Sequence, residues 1–420
     1  MNIIRRKQKY HDYFGSQSLG RLDEIIAMQR GVISNHLHLV ASACYPFPSV
    51  LKAQAEPSTL LPVEGIVGER YLPGAAVMDI VEAEGEQLLL NMFSDSTGYR
   101  VSLQPHSGTQ ANQIVYNAVL TSKDEVLCLK PSDGGHISHT VLLSRRNKTY
   151  NFGLREDGYI DYELLEMVAQ ERRPKLIIVG GSSLPRMIDF ARCSEIARKV
   201  NAFLHADISH TCPFIIGGLH TNIFPYCDFA TFNMMKNLRG PNSGVVIYRE
   251  DFHKKISRSI FPDTQGGANE PCLLAKYATI LEWQHRDIAE YAHQIVLRSQ
   301  LLAETFKKRG VKLVTDGSDC HILLLDLACR QETGAELEKR FEDRCVLLNK
   351  NQIPGDLRGP STASGLRIGT TNLAILGIDK TDIERLGNWI CDTIENKANK
   401  TDIVRELLHK YPQPTYLKNQ

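Results

Sequence analysis

An excess of charge of either sign is missing from this sequence: 49 lysines and arginines stand against 48 aspartates and glutamates, a formal net charge of +1. Nucleic acids and anionic membrane surfaces are recognised by basic stripes or patches, and so even a balance gives them no electrostatic footprint. Long apolar runs are missing too. No window approaches the roughly 18 consecutive apolar residues of a membrane-crossing helix, and the opening MNIIRRKQKYHDYFG lacks the apolar centre of a secretory leader. Paired cysteines are absent: the ten cysteines form no C-x-x-C, in a chain of 420 residues that can bury a core without staples. They read as reduced thiols. Neither they nor the histidines have the spacing of a structural zinc site, and the run Asp319, Cys320, His321 is an isolated match. The expectation is a cytoplasmic protein whose partners are small molecules or copies of itself, with no nucleic acid, no membrane and no metal.

What is present reads as an α/β protein of ordinary globular composition, 42% hydrophobic and 23% charged. RLDEIIAMQRGVI places Leu22, Ile25, Ile26, Met28 and Val32 close to one helical stripe and reads as an arm helix within residues 1–45. From Pro46 short apolar runs alternate with helical patterns: RVSLQ, GTQANQIVYNAVLT, EVLCLK, KLIIVGG, RCSEIARKVN, AFLHAD. Runs such as LIIV, apolar at every position, suit a parallel sheet covered on both faces. CLLAKYATILEWQHRDIAEYAHQIVLRSQLLAETFKKRG reads as helix throughout, ending at Gly310. Beyond it, VKLVTDGS, HILLLDL, VLLN and GLRIGT read as antiparallel strands among helices. The boundary falls near Ser299, giving a large unit over 46–298, a smaller α+β unit over 299–420, and a loosely attached tail.

In an open parallel sheet, ligands sit beyond the carboxyl ends of the strands. Three places there carry polar chemistry. Ser107, Gly108 and Thr109 lie between a strand and a helix start, where free backbone N–H groups favour a phosphate, although the triplet is equally an ordinary helix cap. Asp207 ends an apolar strand, where a carboxylate can hold a protonated heterocyclic nitrogen or cap a turn. Lys236 follows the next strand-like run, DFATFN. An amine to bond an aldehyde, a carboxylate to keep a pyridine nitrogen protonated and a loop for phosphate together suggest pyridoxal 5′-phosphate.

The stretches GERYLPG, LQPHSGTQAN, SDGGHISH, YNFGLREDGYIDYELLE, RMIDFARCSEIA, KNLRGPNSG, TQGG, NKNQIPGD and SGLRIGT, in this order and spacing, resemble the serine hydroxymethyltransferase family. The resemblance implies a fold-type I transferase dependent on pyridoxal phosphate, with a mostly parallel seven-stranded sheet between helices and a smaller C-terminal α+β domain. It implies a homodimer with shared active sites and an amino-acid substrate. Residue by residue, it implies that Lys236 bonds the cofactor, Asp207 partners the pyridine nitrogen and His136 stacks on the ring. Ser182 and His210 match groups around the phenolic oxygen, and Ser107, Gly108 and Thr109 match the phosphate loop. Gly266 and Gly267 match the loop that reaches the phosphate from the neighbouring subunit. Arg367 matches the guanidinium that holds the substrate carboxylate, a task suited to its planar fork. Glu64 matches the group that moves a proton at the β-hydroxyl, with Ser42 and Tyr71 beside the substrate.

The chain also departs from the family pattern. Ala43 and Cys44 replace an acidic residue and an asparagine; Pro62 and Leu72 replace tyrosines; Met235 replaces a histidine, Asn242 an arginine and Ser361 a phenylalanine. Three readings stay open at this point. The first is serine–glycine exchange with tetrahydrofolate, with which Asn112, Ile137 and the loop around Asn351 are compatible. The second is a folate-independent aldolase or transaldolase acting on another β-hydroxy amino acid, which the lost tyrosine, histidine and arginine favour by slowing exchange on serine. The third is a cofactor-binding protein without catalysis, against which Lys236, Asp207, Arg367 and Glu64 together argue.

Overall fold

A computed structural model describes residues 19–397 and 402–417. The start of the expected arm and the last three residues of the expected tail lie outside the described residues. Seven strands form the central sheet in the order Tyr99–Ser102, Gly244–Arg249, Phe229–Asn233, Phe203–Asp207, Leu176–Val179, Glu125–Leu129, Lys148–Phe152. Only Gly244–Arg249 runs against the rest, pairing antiparallel with both of its neighbours. Side chains alternate between the two faces of a strand, and here both faces are dry. Leu127, Leu129, Ile177, Val179, Val245 and Ile247 enter one apolar cluster, while Val126, Cys128, Leu176, Ile178, Val246 and Tyr248 enter the other. This is why LIIV is apolar at every position.

A second core lies around the antiparallel sheet of Ile322–Asp326, Gly365–Gly369 and Asn349–Asn351. Leu323, Leu325, Leu366 and Ile368 pack there against Leu302 and Phe306, Leu337 and Phe341, and Ile383, Leu386 and Ile390 from flanking helices. Leu37 and Leu39 join this core, because Leu37–His38 pairs with Val346–Leu347. A small cluster of Ala41, Phe214, Ala292, Ile295, Cys320 and Ile322 bridges the two cores.

Two expectations need correction. The long helical stretch is two helices, Glu270–Gln284 and Ile288–Lys308, since the Asp287 carboxylate accepts from the Glu290 amide and starts the second one afresh. VKLVTDGS is not a strand: one isolated bridge, Leu313 to Leu325, is all that forms. The left-handed backbone at Asp316 and the turn held by Thr315 Oγ1 on Gly317 O, 2.7 Å, end the pairing there. The arm helix does form, as Leu19–Asn35, with Leu22, Ile25, Ile26, Met28 and Val32 between 41% and 53% exposed. No helix among the described residues is long and apolar enough to cross a membrane.

Removing the cap that divides the two helices, by Asp287→Ala, should cost about 1 kcal/mol in urea denaturation. An unchanged midpoint would show that packing alone sets the break.

Candidate active site

Six of the seven central strands point the same way, so their carboxyl ends share one edge of the sheet. Asp207 ends the strand Phe203–Asp207 at that edge. Its Oδ2 accepts from Asn112 Nδ2 and His139 Nε2, each at 3.0 Å, and its Oδ1 from the Ser209 amide at 3.1 Å. Burial alone would raise this carboxyl's pKa. The His139 hydrogen bond and charge, Lys236 and the Ser209 amide outweigh it and hold Asp207 well below the usual carboxylate range. With Nε2–H donating, His139 leaves Nδ1 buried and without a partner.

Lys236 sits in the turn after Phe229–Asn233, half-buried. Burial brings its amine down to about 8; Asp207 opposes that shift and Arg367 adds to it. His136 caps a short helical turn, its Nδ1 held by Ser138 Oγ at 2.7 Å and by the Ser138 amide at 3.2 Å. Burial brings this imidazole to about 4, with Asp207 opposing, so the ring is neutral near pH 7. His136, His139 and Asp207 offer nitrogen and oxygen atoms within 4.8 Å of one another, but the Asp207 oxygen is already shared by two donors. His210 is stacked at 5.3 Å on His321, which lies in turn against Phe214, and burial holds His210 well below the ordinary imidazole range. The Asp319–His321 match is therefore no ligand pair: Asp319 binds Arg186 at 2.7 Å while His321 lies within this stack.

Ser107 caps the helix Gly108–Val119 by accepting from the Gln110 amide at 3.1 Å. The amides of Gly108 and Thr109 have no acceptor among the described residues, as expected for the first N–H groups of a helix. A side chain at Gly244 would put its Cβ 2.1 Å from Ser107 O, so only glycine allows this strand to lie under the loop. From the small sheet, Arg367 donates from Nε to Asn349 Oδ1 at 3.1 Å and from Nη1 to Ser182 O. Burial lowers its pKa to about 10, so it stays charged at neutral pH. Its Nη2 has no partner among the described residues. Ser42 lies in the turn after Ala41, and it is Ala41 that packs against Gly369 at the end of the Arg367 strand.

A second group gathers around Glu64. Glu64 O accepts from the Tyr71 amide at 3.2 Å, and Val63 O from Ala268 at 2.8 Å. A Cβ on Gly266 would lie 3.9 Å from Glu64 Oε1, and Gly267 O meets His106 Nε2 at 3.2 Å. None of Glu64, Tyr71, Gly266 and Gly267 makes a hydrogen bond or ring contact with Lys236, Asp207, His136 or Arg367 among the described residues. Tyr71 is 72% exposed.

Sequence reasoning missed His139, three residues beyond His136 inside a motif already singled out; only the folded turn shows that it faces Asp207. Asn112 was grouped with a folate site, yet it is buried, bonded to Ser138 Oγ at 3.0 Å and to Asp207, and accepts from Thr231. The donor set fits pyridoxal phosphate: a weakly basic amine, a fixed carboxylate, a neutral imidazole and two free helix amides.

The sequence profile of the family described as serine hydroxymethyltransferase matches residues 17–390. A curated relative from Bordetella avium named serine hydroxymethyltransferase is 36% identical over 387 residues, 90% of this chain and 92% of the relative. Another of that name, from Cupriavidus necator, is 35% identical over 378 residues, 89% and 90% of the two chains.

If the lowered pKa of Lys236 reflects a buried ammonium, Lys236→Met should stabilise the cofactor-free protein. An amine titrating near 8 when folded and near 10.5 when unfolded costs stability fully below pH 8, and the cost fades as pH rises to 10.5. The gain, discounted for partial exposure, should be on the order of 1–2 kcal/mol at pH 7. Urea denaturation at pH 7 and pH 10.5 would test it, and an equal gain at both would refute it.

Proposed function

The chain belongs to the serine hydroxymethyltransferase family, and from that membership we propose that it transfers the hydroxymethyl carbon of serine to tetrahydrofolate, leaving glycine, and runs the reverse. Enzymes of this family are fold-type I transferases that use pyridoxal 5′-phosphate, with tetrahydrofolate as co-substrate. The observation that carries the reading is the meeting of an ionised Asp207, a weakly basic Lys236 and a charged Arg367 with a free Nη2 at one edge of the sheet.

The cofactor, when bound, supplies an electron-withdrawing pyridinium ring that lets a bond at the substrate Cα break. The protein's residues do the rest. Lys236 would hold the cofactor through its aldehyde, with loss of water, and near pH 8 a large share of its amine is unprotonated and able to do so. Asp207, kept negative by its donors His139 and the Ser209 amide and bonded to Asn112, would hold the proton on the pyridine nitrogen. His136, neutral and pinned by Ser138, would stack on the ring, Ser182 and His210 would serve its phenolic oxygen, and Ser107, Gly108 and Thr109 would hold the phosphate. Arg367 would fix the amino-acid carboxylate and so set the orientation of the bonds at the substrate Cα. Glu64 exchanges the proton on the substrate's β-hydroxyl oxygen, with Ser42 and Tyr71 nearby.

A homodimer with shared sites and a cytoplasmic location belong to the same reading. The exposed apolar stripe of Leu19–Asn35 and the exposed Leu60, Leu61, Tyr71, Val77 and Ile80 support the dimer, since such surface favours burial against another chain. In that dimer Glu64, Tyr71, Gly266 and Gly267 complete the neighbour's site. Residues 46–298 and 299–420 act as large and small units, with the end of the arm packed into the smaller one.

Purified protein should be yellow, and borohydride should leave the cofactor covalently on Lys236; a label on another lysine would refute the assignment. Glycine formation from serine should depend on tetrahydrofolate and exceed cleavage of threonine or phenylserine without it. Arg367→Ala should weaken amino-acid binding by about 2–5 kcal/mol with cofactor still bound. Unchanged serine affinity would place the carboxylate elsewhere.

A further inference from the structure

Lys276 is a buried cation for which the reaction above has no role. It projects from the helix Glu270–Gln284 and is 0% exposed. Its Nζ donates to three backbone carbonyls: Leu103 O, Pro105 O at 2.9 Å and Gly244 O at 2.7 Å. A neutral amine has only two N–H bonds and would turn its lone pair on one of these oxygens, whereas an ammonium has three donors for three acceptors. Burial pulls the group down to about 7, opposed by Cys272, Glu82 and Glu86. The three carbonyl dipoles add to that opposition, and the geometry is that of the charged form.

The three carbonyls belong to segments that converge on one place. Leu103 and Pro105 lie on the stretch that carries the edge strand Tyr99–Ser102 into the loop Ser107–Thr109. Gly244 opens the antiparallel strand beneath that loop, in backbone contact with Ser107. Pro105 O also accepts from Ser243 Oγ at 3.0 Å and from the Gly244 amide at 3.1 Å. One ammonium thus fastens the approach to the helix Gly108–Val119, whose first amides are free. Its charge also contributes, after burial, to lowering the pKa of His106, the residue just before Ser107.

Resting on the reading that this loop takes the cofactor's phosphate, we propose that Lys276 is a positioning residue of the phosphate cradle. Through these three carbonyls it fixes the approach to Ser107–Thr109 and sets a positive charge beside the loop, so its effect is selective for a phosphate monoester.

The test is titration of cofactor-free protein with pyridoxal 5′-phosphate and, separately, with pyridoxal, followed by absorbance. In Lys276→Met, and less severely in Lys276→Gln, affinity for the phosphate ester should fall by about 10- to 100-fold while affinity for pyridoxal changes less than about threefold. Equal weakening of both ligands, the signature of a merely structural lysine, would overturn the proposal, as would no change in either. Should neither variant fold, Ser243→Ala carries the test with the lysine intact: a loss of about threefold confined to the phosphate ester is expected, and a loss that is absent or common to both ligands overturns it. Wild-type protein that binds the two ligands equally would instead sink the phosphate-loop reading itself, whatever the variants do.

Discussion

The carboxylate of Asp207 is the constraint on which the site depends. A negative charge out of water is costly unless several donors meet it, and here the meeting fixes much of the surroundings. Asn112 must come from the helix behind the phosphate loop, His139 from the turn after Glu125–Leu129, and the Ser209 amide from the chain leaving the strand. Behind Asn112 the polar chain continues: it accepts from Thr231, and Thr231 meets His205 Nε2 at 2.8 Å. The elements that bring Lys236, His136 and Ser107 to the sheet edge are thus tied to the same charge. A single buried anion organises the loops after four strands.

Arg367 extends that order to the second core. Its strand belongs to the small sheet, yet Nη1 reaches Ser182 O on the loop after Leu176–Val179. The guanidinium is therefore aimed from both sheets at once, through Asn349 on the small sheet and Ser182 on the loop after a central strand. Among the described residues only Nη2 of this guanidinium is left without a partner. The bridging cluster of Phe214, Ile295 and Ile322 packs beside the His210–His321 stack, so the two cores meet close to the carboxyl edge of the central sheet.

Much of this was legible in the sequence, for reasons that can be named. The apolar LIIV run reported a sheet covered on two faces, and residues placed just after strand-like runs fell at one edge because parallel strands share a direction. What could not be read were partners distant in sequence. Nothing local marks Lys276 as a clamp on carbonyls 171 and 173 residues away, and nothing local says that Asn112 serves Asp207 and not a second substrate. The break at Asp287 was missed for the opposite reason: helix propensity on both sides is high, and a single capping carboxylate decided the outcome. VKLVTDGS had strand composition, but its turn closed before a ladder could grow.

The departures from the family pattern gain meaning from their places. Pro62 and Leu72 flank the Glu64 and Tyr71 group, and Pro62, Asn242 and Ser361 are all exposed. Met235 and Asn242 lie nearer the anion loop, where Asn233 ties them together: its Nδ2 donates to Asn242 Oδ1 at 2.8 Å and its Oδ1 accepts from the Met235 amide at 2.9 Å. At Asn242, where the pattern has an arginine, a neutral amide pair with Asn233 stands in place of a charge, while the Met235 bond is made by its backbone and does not depend on the side chain there. Asp207, His139 and Asn112 lie largely out of water and bond to one another, so a change in any of them would leave a polar atom of its neighbours without a partner there. The groups that face outward bear no such penalty.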